Sequence, residues 1–343
     1  MALPAKMQAV LLRHGGYATD AIPASQVREV DRWLEQGELD VPAPGADQVL
    51  IKVKASMVNP SDLSFIQGGY GQPRQLGAAA GFEGVGEVVA GNGGYAQSLV
   101  GQRVSFVTPG SGTWAEYALA DAAAVIPLRP DLRDEDGAAL IVNPLTAAAM
   151  VDLVPEGGAF IASGAASQLG KLMAGLARES GKRMIGLVRR DDPITALKDL
   201  GASAVLNETS ATFAQDLKAA LKTERPTVFL DCIAGAVSAK VFDAMGKDSR
   251  WVIYGKMTPE APEILAPGTL IFMRKRIEGF WLVTWMVTTP LPEKMKAIQA
   301  VQARFADGRW KTDISARIPL GKVVSDLPKA LQQSDGKVMI TID

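Results

Sequence analysis

The chain has 343 residues, of which 48% are hydrophobic and 21% charged, and its net charge is −1 at neutral pH. That length allows two domains, and the balanced charge argues against a nucleic-acid or anionic-membrane binder, which would need a basic surface. One cysteine and one histidine, Cys232 and His14, are too few for a zinc centre, and a Ser-His-Asp hydrolase would need that single histidine as its base.

A lone cysteine cannot form an internal disulfide, which fits a reducing cytoplasm. No N-terminal signal segment is expected, because the early apolar run Ala9 to Leu12 is too short for one. Short strands broken by Gly and Pro come first. They are Gln8 to Leu12, Gln48 to Val53, Gly84 to Val89 and Arg103 to Val107, with two more inside Ala115 to Ile126. A short helix is expected within Ile22 to Glu35. From about Pro127 helical and strand patterns alternate. A helix spans Glu135 to Leu153. The apolar stretch Ala138 to Val154 carries Asn143, Pro144 and Asp152, so it reads as a buried helix and not as a membrane span. Strand Ala159 to Ala162, helix Leu169 to Ser180 and strand Met184 to Val188 follow. Next come helix Ile194 to Leu200, strand Ala204 to Leu206, helix Thr212 to Lys222 and strand Thr227 to Leu230. Helix Ala236 to Met245, strand Arg250 to Tyr254 and strand Arg276 to Val283 complete the series. A helix near Pro292 to Phe305 leads into a strand-like tail, Asp313 to Ile342. The predicted fold class is α/β: a doubly wound Rossmann-type parallel sheet over residues 126–288, with a β domain built from residues 1–125 and 289–343.

The segment Phe160 to Arg190 carries the functional signal. It reads as strand, small-residue turn, amphipathic helix, strand, the phosphate-binding half of a dinucleotide fold. The G-x-G-x-x-G pattern falls on Ala165, Ser167 and Gly170, so only the last glycine is present. Small side chains still let the backbone of Ala165, Ala166, Ser167, Gln168 and Leu169 approach a pyrophosphate at the helix N-terminus. The alternative is an ordinary turn of another α/β protein. Arg189 and Arg190 end the second strand, where NAD enzymes commonly place a carboxylate. Guanidinium groups suit a 2′-phosphate, so the expected cofactor is NADPH. A solvated strand end is the alternative, and Asp191 and Asp192 keep an acidic reading open.

Along nearly its whole length the chain resembles the medium-chain dehydrogenase/reductase superfamily. The matching segments are MQAVLLRHGG, VLIKVKASMVNPSDL, GFEGVGEVV, VGQRV, GTWAEY and the dinucleotide unit, in family order. Zinc enzymes of that superfamily have a His where this chain has Phe82, so the resemblance is to the zinc-free, quinone-reductase-like members. It implies a GroES-like barrel as the catalytic domain. Within the branch the chain is most similar to the 2-enoyl thioester reductases. NPSDLSFIQGGY resembles their loop bearing the catalytic tyrosine, which falls on Tyr70. NPLTA resembles the helix bordering the nicotinamide, with Asn143 and Thr146. WVIYGKM and RKRIEGFWLVTW resemble the sheet edge lining the cofactor. The resemblance thus implies cofactor contacts at Tyr254, Gly255, Phe280 and Trp281; Cys232, which follows the apolar run Val228 to Leu230, reads as a buried strand-end thiol and is grouped with these expected cofactor contacts. The strand end Leu187, Val188, Arg189 matches a family pattern for NADPH, and GKVMITI puts Lys337 near the cofactor. Three departures stand out: Gln168 replaces a turn glycine, Tyr17 to Asp40 is long, and Gly71 to Ala80 lacks the usual proline-rich run.

The resemblance implies hydride transfer from NADPH to the β-carbon of an enoyl thioester. Tyr70 would donate the proton or orient the substrate, since a phenol of pKa about 10 is protonated at neutral pH. Its bland alternative is packing over Gly68 and Gly69. Asn59 would position nicotinamide or substrate, or merely form an Asn-Pro turn. Asn143 marks a kink as readily as a contact. Phe280, Trp281 and Trp285 line a pocket or belong to core or interface. Glu83 reads as structural. The strand Arg276 to Val283 would pair across a two-fold in a homodimer. Two other readings remain open: a quinone or general enone reductase, and a non-enzymatic NADPH-binding relative.

Overall fold

Strand β1 (Lys6–Leu12) buries Met7, Ala9, Val10 and Leu12 and turns Lys6 and Gln8 outward. It pairs antiparallel with β2 (Leu34–Asp40). The helix expected within Ile22 to Glu35 is only a single 3-10 turn at Ala24–Gln26. β2 buries Leu34 alone, so its polar sequence hides a strand held by its ladder. β3 (Gln48–Val58) leads into α1 (Pro60–Gln67), where a loop was expected. Pro60 suits the first helical position, where its missing N–H leaves no bond unmade. β4 (Glu83–Asn92), α2 (Gly94–Ser98), β5 (Arg103–Val107), β6 (Tyr117–Asp121), β7 (Ile126–Pro127) and α3 (Asp134–Ala138) follow.

The single helix expected over Glu135 to Leu153 is two, α3 and α4 (Val142–Asp152). Pro144 lies in the first turn of α4, where it is tolerated, and it could not continue a helix from α3. The alternating series then runs β8 (Ala159–Ala162), α5 (Gln168–Glu179), β9 (Arg183–Val188), α6 (Ile194–Leu200), β10 (Ala204–Asn207), α7 (Phe213–Glu224), β11 (Val228–Asp231), α8 (Ala236–Ala244) and β12 (Arg250–Ile253). After α9 (Gly268–Phe272), strand β13 (Arg276–Gly279) is shorter than expected, and α10 (Leu282–Thr288) takes the rest. β12 ends at Ile253, opposite Gly279, so beyond Phe280 no neighbouring strand among the described residues is there to pair. The β-branched and aromatic residues of this run favour a strand only in a pairing context. α11 (Leu291–Ala306) and β14 (Ile314–Pro319) precede α12 (Val323–Ala330), a helix inside the expected strand-like tail, and β15 (Lys337–Thr341). In α12 the buried residues Val323, Leu327 and Ala330 recur at helical spacing.

The computed structural model describes residues 3–108, 110–264, 266–333 and 336–342. The chain divides into two units, Met1–Val142 with Gln302–Asp343, and Asn143–Val301. In the first, a sheet runs in the order β14-β15-β3-β4-β5-β7, with β6 also pairing β3. Its core includes Trp114, Phe65 and Phe106. In the second, six parallel strands run β10-β9-β8-β11-β12-β13. Counted from β8, that is the 3-2-1-4-5-6 order of a Rossmann sheet, whose ligand crevice lies at the switch point between its first and fourth strands. Here these are β8 and β11. Phe229 stacks on Trp251 at 6.1 Å inside this unit.

Candidate active site

The turn after β8 sits at that switch point. Ser167 is the N-cap of α5, and its hydroxyl accepts the Gly170 amide at 3.2 Å. A β-carbon on Gly170 would lie 2.3 Å from the Ala165 carbonyl oxygen, so the helix approaches the turn as closely as only glycine allows. Ala165 is buried; Ala166, Gln168 and Leu169 are half-buried, and Ser167 is exposed. The first-turn amides of a 12-residue helix point toward this turn, an arrangement that fits a pyrophosphate.

Asp231 ends β11 and organises the other side of the switch point. It is fully buried and accepts four hydrogen bonds, from Ser163 Oγ (2.6 Å), Ile233 N (3.0 Å), Ala234 N (3.1 Å) and Trp251 Nε1 (2.9 Å). Ser163 Oγ in turn accepts the Cys232 amide at 2.9 Å. The loops after β8 and β11 are thereby tied together. Burial pushes the Cys232 thiol up to about 11, which keeps the sulfur protonated at neutral pH. Tyr254 is held well above its ordinary value by burial and by Cys232, its hydrogen-bond partner. Gly255 lies against the Cys232 main chain, where a β-carbon would stand 2.9 Å from its carbonyl oxygen. Neither Asp231 nor Ser163 was singled out from the sequence. The available signal was a carboxylate ending an apolar run, Val228 to Leu230.

Arg189 and Arg190 are both exposed past the end of β9. Arg190 pairs with Asp192 at 3.1 Å, and Asp191 accepts from Asn207 Nδ2 at 2.9 Å. The Arg189 charge acts on Glu208, a further carboxylate at this corner, whose acidity is weakened first by burial and is partly restored by Arg189. Thr146 is buried and Asn143 half-buried, both in the first turns of α4. Phe280 is half-buried and donates its amide to Ile253 O at 2.9 Å, the last rung of the sheet. Trp281, the N-cap of α10, is exposed.

Tyr70 lies in the first unit, just past the C-terminus of α1. Its half-buried ring packs against Phe82 at 5.2 Å and edge-on to Phe65 at 6.5 Å. At the other end of α1, Asn59 is 1% exposed, and both ends of its side-chain amide are hydrogen-bonded. Nδ2 donates to Glu83 Oε1 at 2.8 Å, and Oδ1 accepts from the Lys337 ammonium. The Asn59 backbone N–H donates to Asp62 Oδ2 at 2.7 Å, and Phe82 N donates to Asp62 Oδ1 at 2.9 Å. Glu83 Oε2 accepts from Val142 N at 2.8 Å. One buried cation therefore faces two buried carboxylates. Burial raises Asp62 to about 7, helped by the Glu83 charge and opposed by Lys337 and the two backbone amides. Burial likewise pushes Glu83 up, and it pushes Lys337 down against the pull of Glu83 and Asp62. Asp62 was not singled out from the sequence, although a carboxylate three residues after an N-cap Asn is a capping-box signal.

Comparison with known proteins agrees with this geometry. The alcohol dehydrogenase GroES-like domain matches residues 45–130, and the zinc-binding dehydrogenase family matches residues 169–300. Human mitochondrial enoyl-[acyl-carrier-protein] reductase is 30% identical over 338 residues, covering 96% of this chain and 86% of that protein. The bovine enzyme is 31% identical over 261 residues, covering 74% of this chain and 69% of its own length. A crystal structure of a candidate NADPH:quinone reductase from Mesorhizobium loti is 50% identical, covers 99% of this chain and 100% of its own, and has a TM-score of 0.95. A Rossmann sheet with a small-residue turn at its switch point, in one chain with a GroES-like domain, defines a dinucleotide-dependent oxidoreductase. The chain belongs to the medium-chain dehydrogenase/reductase superfamily, in its zinc-free branch of enoyl thioester reductase-like proteins. Among the described residues, no three His, Cys, Asp or Glu side chains are grouped to hold a metal, and no helix is long and apolar enough to cross a membrane.

Proposed function

We propose that the protein reduces the activated C=C bond of a 2-enoyl thioester with NADPH. The observation that carries this reading is the similarity to enoyl-[acyl-carrier-protein] reductases along 96% of the chain. The turn from Ala165 to Gly170, the N-terminus of α5 and Arg189 would hold the pyrophosphate and the 2′-phosphate. NADPH held there would supply a hydride. The β-carbon of the enoyl group would accept it, the carbonyl oxygen would take up negative charge, and a proton would then reach the α-carbon. Tyr70 is the group proposed to donate to the substrate, as proton donor or as the hydrogen bond that orients it. Asn59, with both ends of its amide engaged, acts as a positioning residue for α1, and Lys337 supports it from within the same cluster. Thr146, Asn143, Phe280 and Trp281 are the proposed neighbours of the nicotinamide, and Cys232, Tyr254 and Gly255 those of the switch-point loops.

The experiment is reduction of crotonyl-CoA with NADPH carrying deuterium at the transferable position. Butyryl-CoA labelled at the β-carbon is expected; absence of labelled product, or label elsewhere, overturns the reading. The Mesorhizobium loti relative, a candidate NADPH:quinone reductase, favours a second reading, reduction of a quinone on the same scaffold. Its signature would be NADPH oxidation with benzoquinone and none with crotonyl-CoA.

A homodimer through the edge strand β13 belongs to this proposal. Ile271, Phe272, Trp281, Val283 and Val287 are exposed around that edge, Phe272 and Val287 by 81% and 78%. Large apolar side chains left exposed in this number mark an interface. Light scattering should give twice the chain mass for the wild type and a shift toward the monomer for Phe272→Asp; a monomeric wild type would refute the dimer. The lone cysteine fits a reducing setting such as the cytoplasm.

A further inference from the structure

The segment 15–22 is fastened to the chain around Tyr70, all within the first unit. Gly16 N donates to Arg74 O at 2.9 Å and Arg74 N to Gly16 O at 3.2 Å, and Ala18 N donates to Gly68 O at 2.9 Å. Gln67, 1% exposed, accepts Ile22 N at 2.9 Å and donates to Ile22 O at 3.2 Å and Leu63 O at 2.8 Å. The Arg74 guanidinium sits under this junction. Its Nε reaches Gly16 O at 3.1 Å, Nη1 reaches Ile66 O at 2.9 Å, and Nη2 reaches Gly15 O at 3.4 Å. Arg74 is 7% exposed, and these bonds end on main-chain oxygens. Only a planar fork of donors can serve several carbonyls at once from one buried site. Burial weakens its basicity, and Asp20 opposes that.

Both glycines before Tyr70 are pressed against this clamp. At Gly68, with φ +87°, a β-carbon would lie 2.5 Å from Arg74 Nη2 and 2.7 Å from Ala18 N; at Gly69 it would lie 2.6 Å from the Ala21 β-carbon. The Tyr70 ring meanwhile packs on Phe65 and Phe82. We propose that Arg74 and the segment 15–22 set the orientation of Tyr70, with Arg74 a positioning residue for the reaction. This rests on the reading of Tyr70 as the group that touches the substrate.

The test is a double-mutant cycle in the full-length protein, with NADPH and crotonyl-CoA. Arg74→Ala should lower kcat about tenfold or more, as small misplacements of a reacting group do, with the dissociation constant of NADPH unchanged within about twofold. Arg74→Lys, which keeps charge but not the fork, should restore only part of it. In a Tyr70→Phe background, Arg74→Ala should cost less than about twofold further, because a residue acting through Tyr70 has nothing left to position. A loss that multiplies in full with Tyr70→Phe overturns the proposal. Gln67→Leu, which removes the Ile22 bonds, runs through the same cycle should Arg74→Ala fail to fold. Amide exchange of residues 65–74 reads the clamp without any substrate. Exchange about tenfold faster in Arg74→Lys or Gln67→Leu supports the clamp, and unchanged exchange overturns it. A wild type with a protected loop but no enoyl turnover would instead refute the reading of Tyr70.

Discussion

Replacing Asp62 by Asn should make the first unit less sensitive to alkaline pH. Asp62 is 1% exposed and lies in a cluster with Glu83 and Lys337. Burial raises its pKa from 3.8 to about 7. A tenfold change in proton affinity corresponds to about 1.4 kcal/mol, so the whole displacement amounts to about 4 kcal/mol. The folded pKa lies above the unfolded one, so the folded chain binds the extra proton. The stability this group contributes is complete below pH about 4 and is lost as pH rises through about 7. Between pH 5 and 8 about 2–3 kcal/mol of it should disappear. Asn cannot ionise and keeps one oxygen for the two amides, from Asn59 and Phe82, that Asp62 now accepts. Losing one such bond costs about 1–3 kcal/mol at any pH. The difference in stability between wild type and Asp62→Asn should therefore move by about 2–3 kcal/mol toward the variant from pH 5 to pH 8. Urea unfolding of the first unit at each pH measures it. A difference that does not change with pH, or that moves toward the wild type, would refute the assignment of a raised carboxyl at this position.

Other consequences follow from the same geometry. Gly170→Ala places a methyl 2.3 Å from the Ala165 oxygen, so α5 must retreat, and NADPH affinity should fall about tenfold or more by fluorescence titration; an unchanged affinity would place the pyrophosphate elsewhere. Arg189→Ala should reduce the preference for NADPH over NADH about 10- to 100-fold in kcat/KM, the value of a charge-assisted bond; equal losses with both cofactors would contradict a 2′-phosphate contact. Cys232, with its thiol raised to about 11, should react with iodoacetamide at pH 8 about 100-fold more slowly than a free thiol; rapid labelling in the folded protein would show a different environment.

The parallel sheet was legible because its central strands are buried on both faces and read as short continuous apolar runs, such as Ala159 to Ala162 and Val228 to Leu230. The strand–turn–helix unit around Gly170 was legible from its apolar run and helical spacing, even though only the last glycine of the fingerprint is present. What the sequence hid has physical causes. α1 hides in PSDLSFIQ, whose Pro60, Ser61 and Asp62, with Asn59 just before them, are turn residues unless one reads them as a helix start. α10 hides behind strand-forming residues that have no strand to join. Local pattern gives at most a position for the polar residues that shape the loops, as for Asp231 at the end of an apolar run, and not their partners. Asp231 is defined by partners at Ser163 and Trp251, Gln67 by Ile22, and Arg74 by Gly15 and Gly16, each far away in the chain. Their burial is a product of the fold, and side chains like these usually lie at a surface.

Enoyl thioester reduction through Tyr70 is tested most directly by steady-state turnover of crotonyl-CoA with NADPH, set beside NADH and benzoquinone, in the wild type and in Tyr70→Phe. Crotonyl-CoA with NADPH should be the preferred pair in kcat/KM, and Tyr70→Phe should lower its kcat about 100-fold or more. Turnover of benzoquinone alone, or full activity in Tyr70→Phe, would contradict it.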